Sequence, residues 1–417
     1  MKQSILSKDG VSYVVPFILI TSCFALWGFA NDITNPMVKA FSKIFRMSAT
    51  DGALVQVAFY GGYFAMAFPA AMFIRRYSYK AGVLVGLGLY ALGAFMFYPA
   101  KMTGEYYPFL IAYFILTCGL SFLETSSNPY ILSMGTEETA TRRLNLAQSF
   151  NPMGSLLGMY VAMNFIQAKL NPLDTASRAD LTPAEFEAVK EYDLSVLIGP
   201  YLAIGLVILA MFLLILFWRM PKNGDKNHNI DFVPTLRRIF AMPHYREGVI
   251  AQFFYVGVQI MCWTFIIQYG TRVLMADGMA EQAAEVTSQQ YNILAMIIFC
   301  CSRFICTFLL RYVNTGRLLT VLAIVGGLLV VGVIGLQNIY GLYCLVGVSA
   351  CMSLMFPTIY GIALTGLGDD AKFGAAGLIM AILGGSVLPP FQAAIIDQGE
   401  LLGMPAVNVS FILPFVC

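Results

Sequence analysis

The feature that most constrains this chain is a succession of apolar stretches, each about long enough to cross a lipid bilayer. A transmembrane helix needs about 20 predominantly apolar residues. Only 12% of the residues are charged, against about 25% in ordinary soluble domains. Eleven stretches and the start of a twelfth lie at 13–34, 53–74, 81–100, 107–134, 144–167, 196–218, 246–270, 290–311, 317–337, 339–366, 372–396 and 405 onward. The sequence therefore predicts an all-α membrane protein of twelve transmembrane helices, the twelfth cut short at Cys417.

The distribution of basic residues between alternate loops predicts the orientation of the chain. Lys and Arg are more numerous on the side of the N-terminus than on the opposite side, and such an excess marks the cytoplasmic side. The longest polar loop on that side follows the sixth stretch. We therefore expect an N-terminal six-helix bundle over residues 1–218, a cytoplasmic central loop over 219–245 and a C-terminal bundle over 246–417, in a bacterial inner membrane.

The two expected bundles share features at corresponding positions. Arg76 lies at the end of the second stretch as Arg311 lies at the end of the eighth, and Pro129 in the fourth stretch corresponds to Pro357 in the tenth. Internal repeats of this kind are common among transporters. The pattern predicts two related halves that pack and move against each other.

Three charged side chains lie well inside the predicted spans, away from their ends, where a charge costs about 2.5 kcal/mol or more. Glu124 lies deep in the fourth stretch. Because burial favours the neutral form of a carboxyl group, Glu124 is predicted to carry a proton, with a purely structural hydrogen-bonding role as the alternative. Asp32, at the outer end of the first stretch, is predicted to share the proton-coupling role unless it only reaches interfacial water. Arg303 is expected either to extend toward the cytoplasm or to pair with a carboxylate.

Amide side chains in these spans suit the hydroxyl groups of a neutral polyol, because an amide both donates and accepts hydrogen bonds. Gln148 and Asn151 in the fifth stretch are three residues apart and share one helical face. Asn35 and Asn128 each lie near one of the two buried acids. All four are candidate substrate-binding residues.

The seventh stretch contributes a further candidate face. Gln252 and Gln259 are two helical turns apart, and Trp263 lies one turn further on, where it could stack on a sugar ring. Gln259 and Trp263 are therefore added to the substrate-binding candidates. Trp and Gln also serve as interfacial anchors and as contacts between helices, so a structural role for Gln259 and Trp263 is the alternative.

The sequence lacks the motifs that mark several classes of protein. The chain has no phosphate-cradling loop, no nucleophile elbow and no metal-ligand pattern on a helix. Its nine cysteines all fall within apolar segments, as small hydrophobic residues do. We expect no enzymatic activity, no metal and no cofactor, and a neutral, hydroxylated cargo. A membrane-embedded sensor is the alternative from another class, but it would need a soluble signalling domain.

Five segments together resemble the fucose–galactose–proton symporter family of the major facilitator superfamily. They are VAFYGGYFAMAFPAAMFIRRYSYKAG, CGLSFLETSSNPYI, RRLNLAQSFNPMG, AQFFYVGVQIMCW and MFPTIYGIALTGLG. The resemblance implies two six-helix bundles around a central cavity. It also implies proton-coupled import of a neutral monosaccharide by alternating access, L-fucose ahead of galactose or glucose. The implied partners are a small sugar, protons and the bilayer, without nucleic acid, for a protein that acts as a monomer. An uncoupled hexose transporter of the same fold is the alternative.

The resemblance also assigns expected roles to particular residues. Glu124 matches the family's proton-linked glutamate, and Gln148 and Asn151 match amides assigned to sugar contact. The family's second acid, in the first span, falls on Asn35 here, whereas Asp32 stands where the family has an asparagine. The acid and the amide therefore exchange places on one face. Phe356 replaces a tyrosine that lines the family's cavity, which bears on the identity of the sugar.

Overall fold

The computed structural model describes residues 6–8, 11–34, 37–47, 54–173, 177–178, 180–221, 232–401 and 403–417. The first half contains a short hairpin of β1 (Ser7–Lys8) and β2 (Val11–Ser12), followed by helices α1 (Val14–Thr34), α2 (Met37–Phe45), α3 (Leu54–Arg76), α4 (Tyr79–Thr103), α5 (Tyr107–Ser133), α6 (Ala140–Gln148), α7 (Asn151–Val161) and α8 (Pro183–Phe217). We call the helices of residues 14–217 the N-half.

The second half continues with a helix in the central loop and then the remaining spans. These are α9 (Phe232–Ala241), α10 (Pro243–Ala276), α11 (Glu281–Leu309), α12 (Thr315–Gly335), α13 (Ile339–Met352), α14 (Met355–Leu364), α15 (Ala371–Met380) and α16 (Gly384–Ile396), then the hairpin of β3 (Glu400–Leu401) and β4 (Met404–Pro405), and finally α17 (Ala406–Val409) and α18 (Ile412–Val416). We call the helices of residues 243–416 the C-half.

The predicted all-α membrane class is confirmed. Within the described ranges, ten helices are long and apolar enough to span a bilayer, and a shorter apolar helical segment covers 406–416. The fifth predicted stretch, 144–167, is not one continuous α-helix. Its α-helix stops at Gln148 and resumes at Asn151, and a π-helical turn at 162–166 and a 3₁₀ turn follow. Pro152 explains the first break, because proline has no N–H for the carbonyl four residues earlier and its ring clashes with that carbonyl.

The described part of residues 168–195, which separate the fifth and sixth predicted stretches, is in part helical. Helix α8 begins at Pro183, where the Thr182 side chain and Glu185 form a reciprocal capping box that satisfies two free backbone donors. Arg178 and Asp193, both fully buried, form an ion pair of 2.6 Å that anchors the segment to this helix. The loop is therefore a packed structure, and the sixth span begins earlier than its hydropathy indicates.

The two halves contact each other at the end of the helices nearest the central loop, which we call the central-loop side. Arg75 at the end of α3 forms an ion pair of 3.7 Å with Asp370, just before α15. Asn145 on α6 donates a hydrogen bond of 3.3 Å to Thr358 Oγ1 on α14. The Lys372 ammonium lies 4.8 Å from the Tyr79 ring centroid. These contacts close the central-loop side and leave space between the halves further along the helices.

Helices α1 and α7 approach each other so closely that their backbones touch at glycines. A Cβ atom added to Gly154 would lie 1.9 Å from the backbone oxygen of Ala25, and one added to Gly28 would lie 2.2 Å from that of Asn151. Small residues at such crossings let transmembrane helices pack by direct backbone contact. This crossing holds Asn151 and its neighbours in position beside the first span.

We expect Gly154→Ala to destabilise the protein, because the added methyl group meets backbone atoms that have no rotamer by which to move away. Overpacking of this kind costs about 1–3 kcal/mol. Gly61→Ala is the matched control, since no atom lies within 4 Å of a Cβ added at Gly61. The measurement is the midpoint of thermal unfolding of the purified protein in detergent. Equal midpoints for the two variants would show that the α1–α7 crossing adapts to a larger residue.

Candidate functional site

A cavity of about 1140 Å³, including the space at its mouth, lies between the N-half and the C-half. Its N-half wall carries most of the polar groups, and its C-half wall is largely aromatic and aliphatic. The lining residues are Trp27, Asn31, Asp32, Thr34, Phe59, Tyr60, Tyr63, Glu124, Gln148, Asn151, Pro152, Ser155, Val256, Gln259, Ile260, Trp263, Met296, Phe299, Arg303, Phe356 and Ile382. Six of the eight sequence-predicted site residues are among them.

Glu124 on α5 presents a carboxyl group to this cavity while remaining 95% shielded, since only 5% of the residue is exposed. Tyr63 Oη on α3 donates a hydrogen bond of 2.9 Å to Glu124 Oε1. Within the described residues Glu124 forms no ion pair. A carboxyl group that is buried, reachable from a cavity and free of a cationic partner can take up and release a proton.

Asn128 connects the acid to the predicted amide face, although it does not itself line the cavity. Its side-chain nitrogen donates a hydrogen bond of 3.0 Å to the backbone oxygen of Glu124. Its side-chain oxygen accepts a hydrogen bond of 2.8 Å from Gln148 Nε2. Asn128 is fully buried, so it acts on the cavity by orienting Gln148 rather than by touching a ligand.

Gln148 and Asn151 both line the cavity, on the one face that their spacing predicts. Asn151 Nδ2 donates 3.2 Å to the backbone oxygen of Phe24 on α1. One turn on, Ser155 Oγ donates 3.3 Å to the backbone oxygen of Gly28. The neighbouring helix therefore holds the amide of Asn151 by one N–H. The carbonyl oxygen and the second N–H of the amide are left for the hydroxyl groups of a ligand.

On the opposite wall, Gln259 and Trp263 also line the cavity. Trp263 Nε1 donates 3.2 Å to Ser349 Oγ, and its ring meets the Phe299 ring edge-on at 4.9 Å between centroids. Gln252 shares their helical stripe but not their cavity. It is fully buried, and neither polar atom of its side chain has a hydrogen-bond partner among the described residues. Gln252 lies about two helical turns nearer the central-loop side than Gln259, and the cavity does not extend that far along the helix.

Asp32 lines the cavity near the end of α1, beside Asn31. Its carboxylate interacts electrostatically with Tyr60 of α3, which faces the same space. Asn31 adds a buried side-chain oxygen that has no partner in the part of the chain that the structure describes. Asn35, the predicted partner of Asp32, lies outside the described residues.

Arg303 meets neither of the two expectations for it, since it is only 3% exposed and forms no ion pair within the described ranges. Its Nη1 donates a hydrogen bond of 3.0 Å to the backbone oxygen of Gln148 in the N-half. Its Nε donates a hydrogen bond of 2.5 Å to the backbone oxygen of Ser353 in the C-half. These carbonyls lie four residues before Pro152 and Pro357, which have no N–H to offer them. Arg303 thus replaces two missing helical hydrogen bonds at once.

The sequence reasoning missed several cavity residues. Tyr60 and Tyr63 flank the glycine pair of α3, and Trp27 and Met296 line the same space. Aromatic residues in a span are also typical of lipid-facing and interfacial positions, so their type did not distinguish them. The available signal was the pair of tyrosine hydroxyls one helical turn apart on α3. It identifies Tyr63 only once α5 is known to pack against α3.

The pattern of groups suits a neutral, hydroxylated ligand that moves with a proton. The amides of one wall can pair with hydroxyl groups, and the rings of Trp263, Phe299 and Phe356 on the other can cover the apolar faces of a sugar ring. The single cation at the floor is already engaged with backbone carbonyls, so the site offers little to an anion.

Comparison with known proteins agrees with this geometry. The family described as Major Facilitator Superfamily matches residues 20–390. The L-fucose-proton symporter of Haemophilus influenzae is 51% identical over 425 residues, which cover 100% of this chain and 96% of that protein. A glucose/galactose transporter of Brucella abortus is 29% identical over 400 residues, 95% of this chain and 90% of that protein. A crystal structure of the Escherichia coli fucose:proton symporter superposes with a TM-score of 0.86 at 31% identity, over 97% of this chain and 98% of that chain.

We expect Arg303→Gln to weaken closure of the central-loop side. The guanidinium group donates hydrogen bonds to the carbonyls of Gln148 and Ser353 at the same time, and the shorter glutamine side chain cannot bond both. The measurement is the spin-label distance between cysteines introduced by Tyr77→Cys and Tyr312→Cys, with the exposed Cys301 and Cys417 changed to serine. A longer distance should gain population in the variant.

Arg317→Gln is the control for this measurement, since Arg317 is an exposed arginine that begins the next helix. It should leave the distance distribution unchanged. A distribution for Arg303→Gln that matches the wild type would show that the other contacts of the central-loop side suffice for closure.

Proposed function

The chain belongs to the major facilitator superfamily, and we propose that it is a proton-coupled symporter that imports a neutral monosaccharide, L-fucose first, by alternating access. The observation that carries the proposal is the cavity between the two halves. It brings together a shielded carboxyl group at Glu124, amides at Gln148 and Asn151, and aromatic rings on the facing wall. The relative named an L-fucose-proton symporter matches this chain along its whole length.

In the proposed cycle, Glu124 takes a proton from the open side while Tyr63 orients its carboxyl group. The sugar then binds between the amides of the N-half and the rings of the C-half. Closure over the sugar and opening of the central-loop side require the Arg75–Asp370 ion pair and the Arg303–Gln148 hydrogen bond to break. A neutral sugar with one proton carries one charge, so each 100 mV of membrane potential contributes about 2.3 kcal/mol to accumulation.

Asp32 is proposed as a second proton-linked acid. It lines the same cavity as Glu124, and its position on α1 places it nearer the end of the span. The role of the family's first-span acid would then have moved from position 35 to position 32. Asn128 and Gln259 are proposed to support sugar binding, the former by holding Gln148 and the latter by direct contact, with Trp263 stacking on the ring.

We also propose the orientation and assembly that the charge pattern implies. The N-terminus lies in the cytoplasm of a bacterial cell, the protein crosses the inner membrane, and it functions as a monomer. Residues 1–218 and 246–417 act as the two bundles, and 219–245 connects them on the cytoplasmic side. The central-loop side is then the cytoplasmic side, and the cavity opens to the periplasm.

A second candidate cargo is glucose or galactose. Phe356 lines the cavity without offering a hydroxyl group, at the position where the family resemblance implies a tyrosine. One relative of 29% identity is named a glucose/galactose transporter. The loss of one hydroxyl partner on the C-half wall changes which sugar hydroxyls can be satisfied, while the proton-linked acid stays the same.

Uptake by membrane vesicles tests the function directly. L-Fucose, galactose and glucose are supplied in turn under an imposed pH gradient, and external pH is recorded. We expect L-fucose to accumulate and the external medium to become alkaline as protons enter. Uptake of another hexose with alkalinisation would keep the mechanism and change the sugar, and uptake without alkalinisation would replace symport by facilitated diffusion.

Glu124→Gln is expected to abolish accumulation of sugar against its gradient, because the amide cannot release a proton. Exchange of labelled for unlabelled sugar across the membrane should persist, since that step needs no net proton movement. Glu138→Gln, at an exposed position before α6, serves as the control and should transport as the wild type does. Normal uphill transport by Glu124→Gln would remove this residue from the coupling mechanism.

Gln148→Ala and Asn151→Ala are each expected to weaken sugar binding by roughly 5- to 150-fold. Each leaves sugar hydroxyls without a partner at about 1–3 kcal/mol, and 1.4 kcal/mol corresponds to about tenfold in affinity. Calorimetry on the purified protein measures the affinity.

Asn164→Ala is the matched control for these two variants. Asn164 lies on the same span, is exposed and bonds only its own helix at the backbone oxygen of Tyr160. Its replacement should leave the affinity unchanged. Wild-type affinity in both cavity variants would move the sugar site away from this face.

A further inference from the structure

A second, smaller cavity lies apart from the central one, in the seam between the two halves. It has a volume of about 400 Å³, including the open space at its mouth, and is lined by Arg142 and Leu146 of α6 and by Phe304, Thr307 and Phe308 of α11. Both helices have their central-loop ends here, since α6 begins at Ala140 and α11 ends at Leu309. The crevice therefore lies near the membrane surface on the central-loop side and has one wall in each half.

Two arginines lie at or beside this crevice, one from each half. Arg142 lines the crevice from the N-half, and Arg311 lies two residues after the end of α11, whose last turns supply Thr307 and Phe308 to the same crevice. Neither arginine forms an ion pair within the described residues. Arg142 Nε is buried and has no hydrogen-bond partner in the same ranges. The folded chain thus places one positive charge from each half near this crevice and leaves a buried donor of Arg142 unsatisfied.

The remaining surface of the crevice is largely apolar, and its two phenyl rings are exposed. Phe304 is 37% exposed and Phe308 is 55% exposed, and Tyr312, beside Arg311, is 67% exposed. Deeper in the seam, Phe150 of the N-half packs edge-on against Phe304 at 5.9 Å between centroids. A cationic rim above an aromatic wall matches a molecule that has an anionic head and an apolar tail.

We propose that this crevice binds an anionic phospholipid from the leaflet on the central-loop side, with the phosphate between Arg142 and Arg311 and an acyl chain along Phe304 and Phe308. Basic pockets between transmembrane helices bind lipid head groups in this way. A soluble anion would use the two arginines but would leave the aromatic wall exposed.

Such a lipid bridges the two halves where they must separate in the transport cycle. Arg142 moves with the N-half and Arg311 with the C-half, so one phosphate can bind both arginines only while the central-loop side is closed. Differential binding of this kind shifts the population toward the closed state. The anionic lipid content of the membrane would then tune how readily the transporter opens on that side.

The test measures lipid binding to the purified full-length chain in detergent, without any sugar. Phosphatidylglycerol and phosphatidylcholine are compared by native mass spectrometry and by the shift that each causes in the thermal unfolding midpoint. We expect phosphatidylglycerol to be retained and to raise the midpoint more than phosphatidylcholine does. Arg142→Gln and Arg311→Gln should each weaken phosphatidylglycerol binding by roughly fivefold, the effect of one basic side chain at a lipid surface.

Two further variants separate charge loss from a general structural effect. Arg246→Gln removes an exposed arginine on the same side of the protein and should bind phosphatidylglycerol as the wild type does. Arg142→Lys keeps the charge and should retain most of the binding. Equal retention of the two lipids, wild-type binding by both glutamine variants, or the same midpoint shift with inorganic phosphate alone would overturn the proposal. None of these readouts depends on which sugar is carried or on proton coupling.

Discussion

Arg303 satisfies two backbone carbonyls that prolines leave without their helical partners, one in each half of the protein. Pro152 frees the carbonyl of Gln148, and Pro357 frees that of Ser353; the guanidinium group donates to both. A buried carbonyl without a donor costs free energy comparable to a lost hydrogen bond. The broken helices and the buried cation therefore stabilise each other, and together they form the floor of the central cavity.

The proposed proton site is connected to this floor through a short series of contacts. Tyr63 holds the carboxyl group of Glu124, Asn128 bonds the Glu124 backbone and orients Gln148, and the Gln148 backbone receives Arg303. Each link is a hydrogen bond between buried groups in a region of low dielectric, where such bonds are strong. A change in the charge or position of the carboxyl group thus has a direct structural route to the seam that must open.

Much of this site could be predicted from the sequence, because insertion into a bilayer makes polar residues costly and so makes each one informative. Glu124, Gln148 and Asn151 stand out on these grounds, and all three line the cavity. Gln252 lies on the helical stripe of Gln259 and Trp263 but outside the cavity, since a helical stripe fixes direction around an axis but not depth along it. The role of Tyr63 was not predicted, because a tyrosine in a span has several common roles, and only the packing of α3 against α5 selects one.

The sequence by itself determined the number and approximate position of the apolar spans, and with them the membrane class. It also identified the polar residues within those spans, which are costly there and so require a structural or functional reason. What only the tertiary structure decided is which of those polar groups find one another. Arg303 bonds two carbonyls 155 and 50 residues away in sequence, and Arg142 of α6 lines one crevice with Phe304 and Phe308 of α11. Hydropathy reports the cost of placing one segment in lipid, whereas these pairings depend on the relative depth and rotation of separate helices, which packing alone sets.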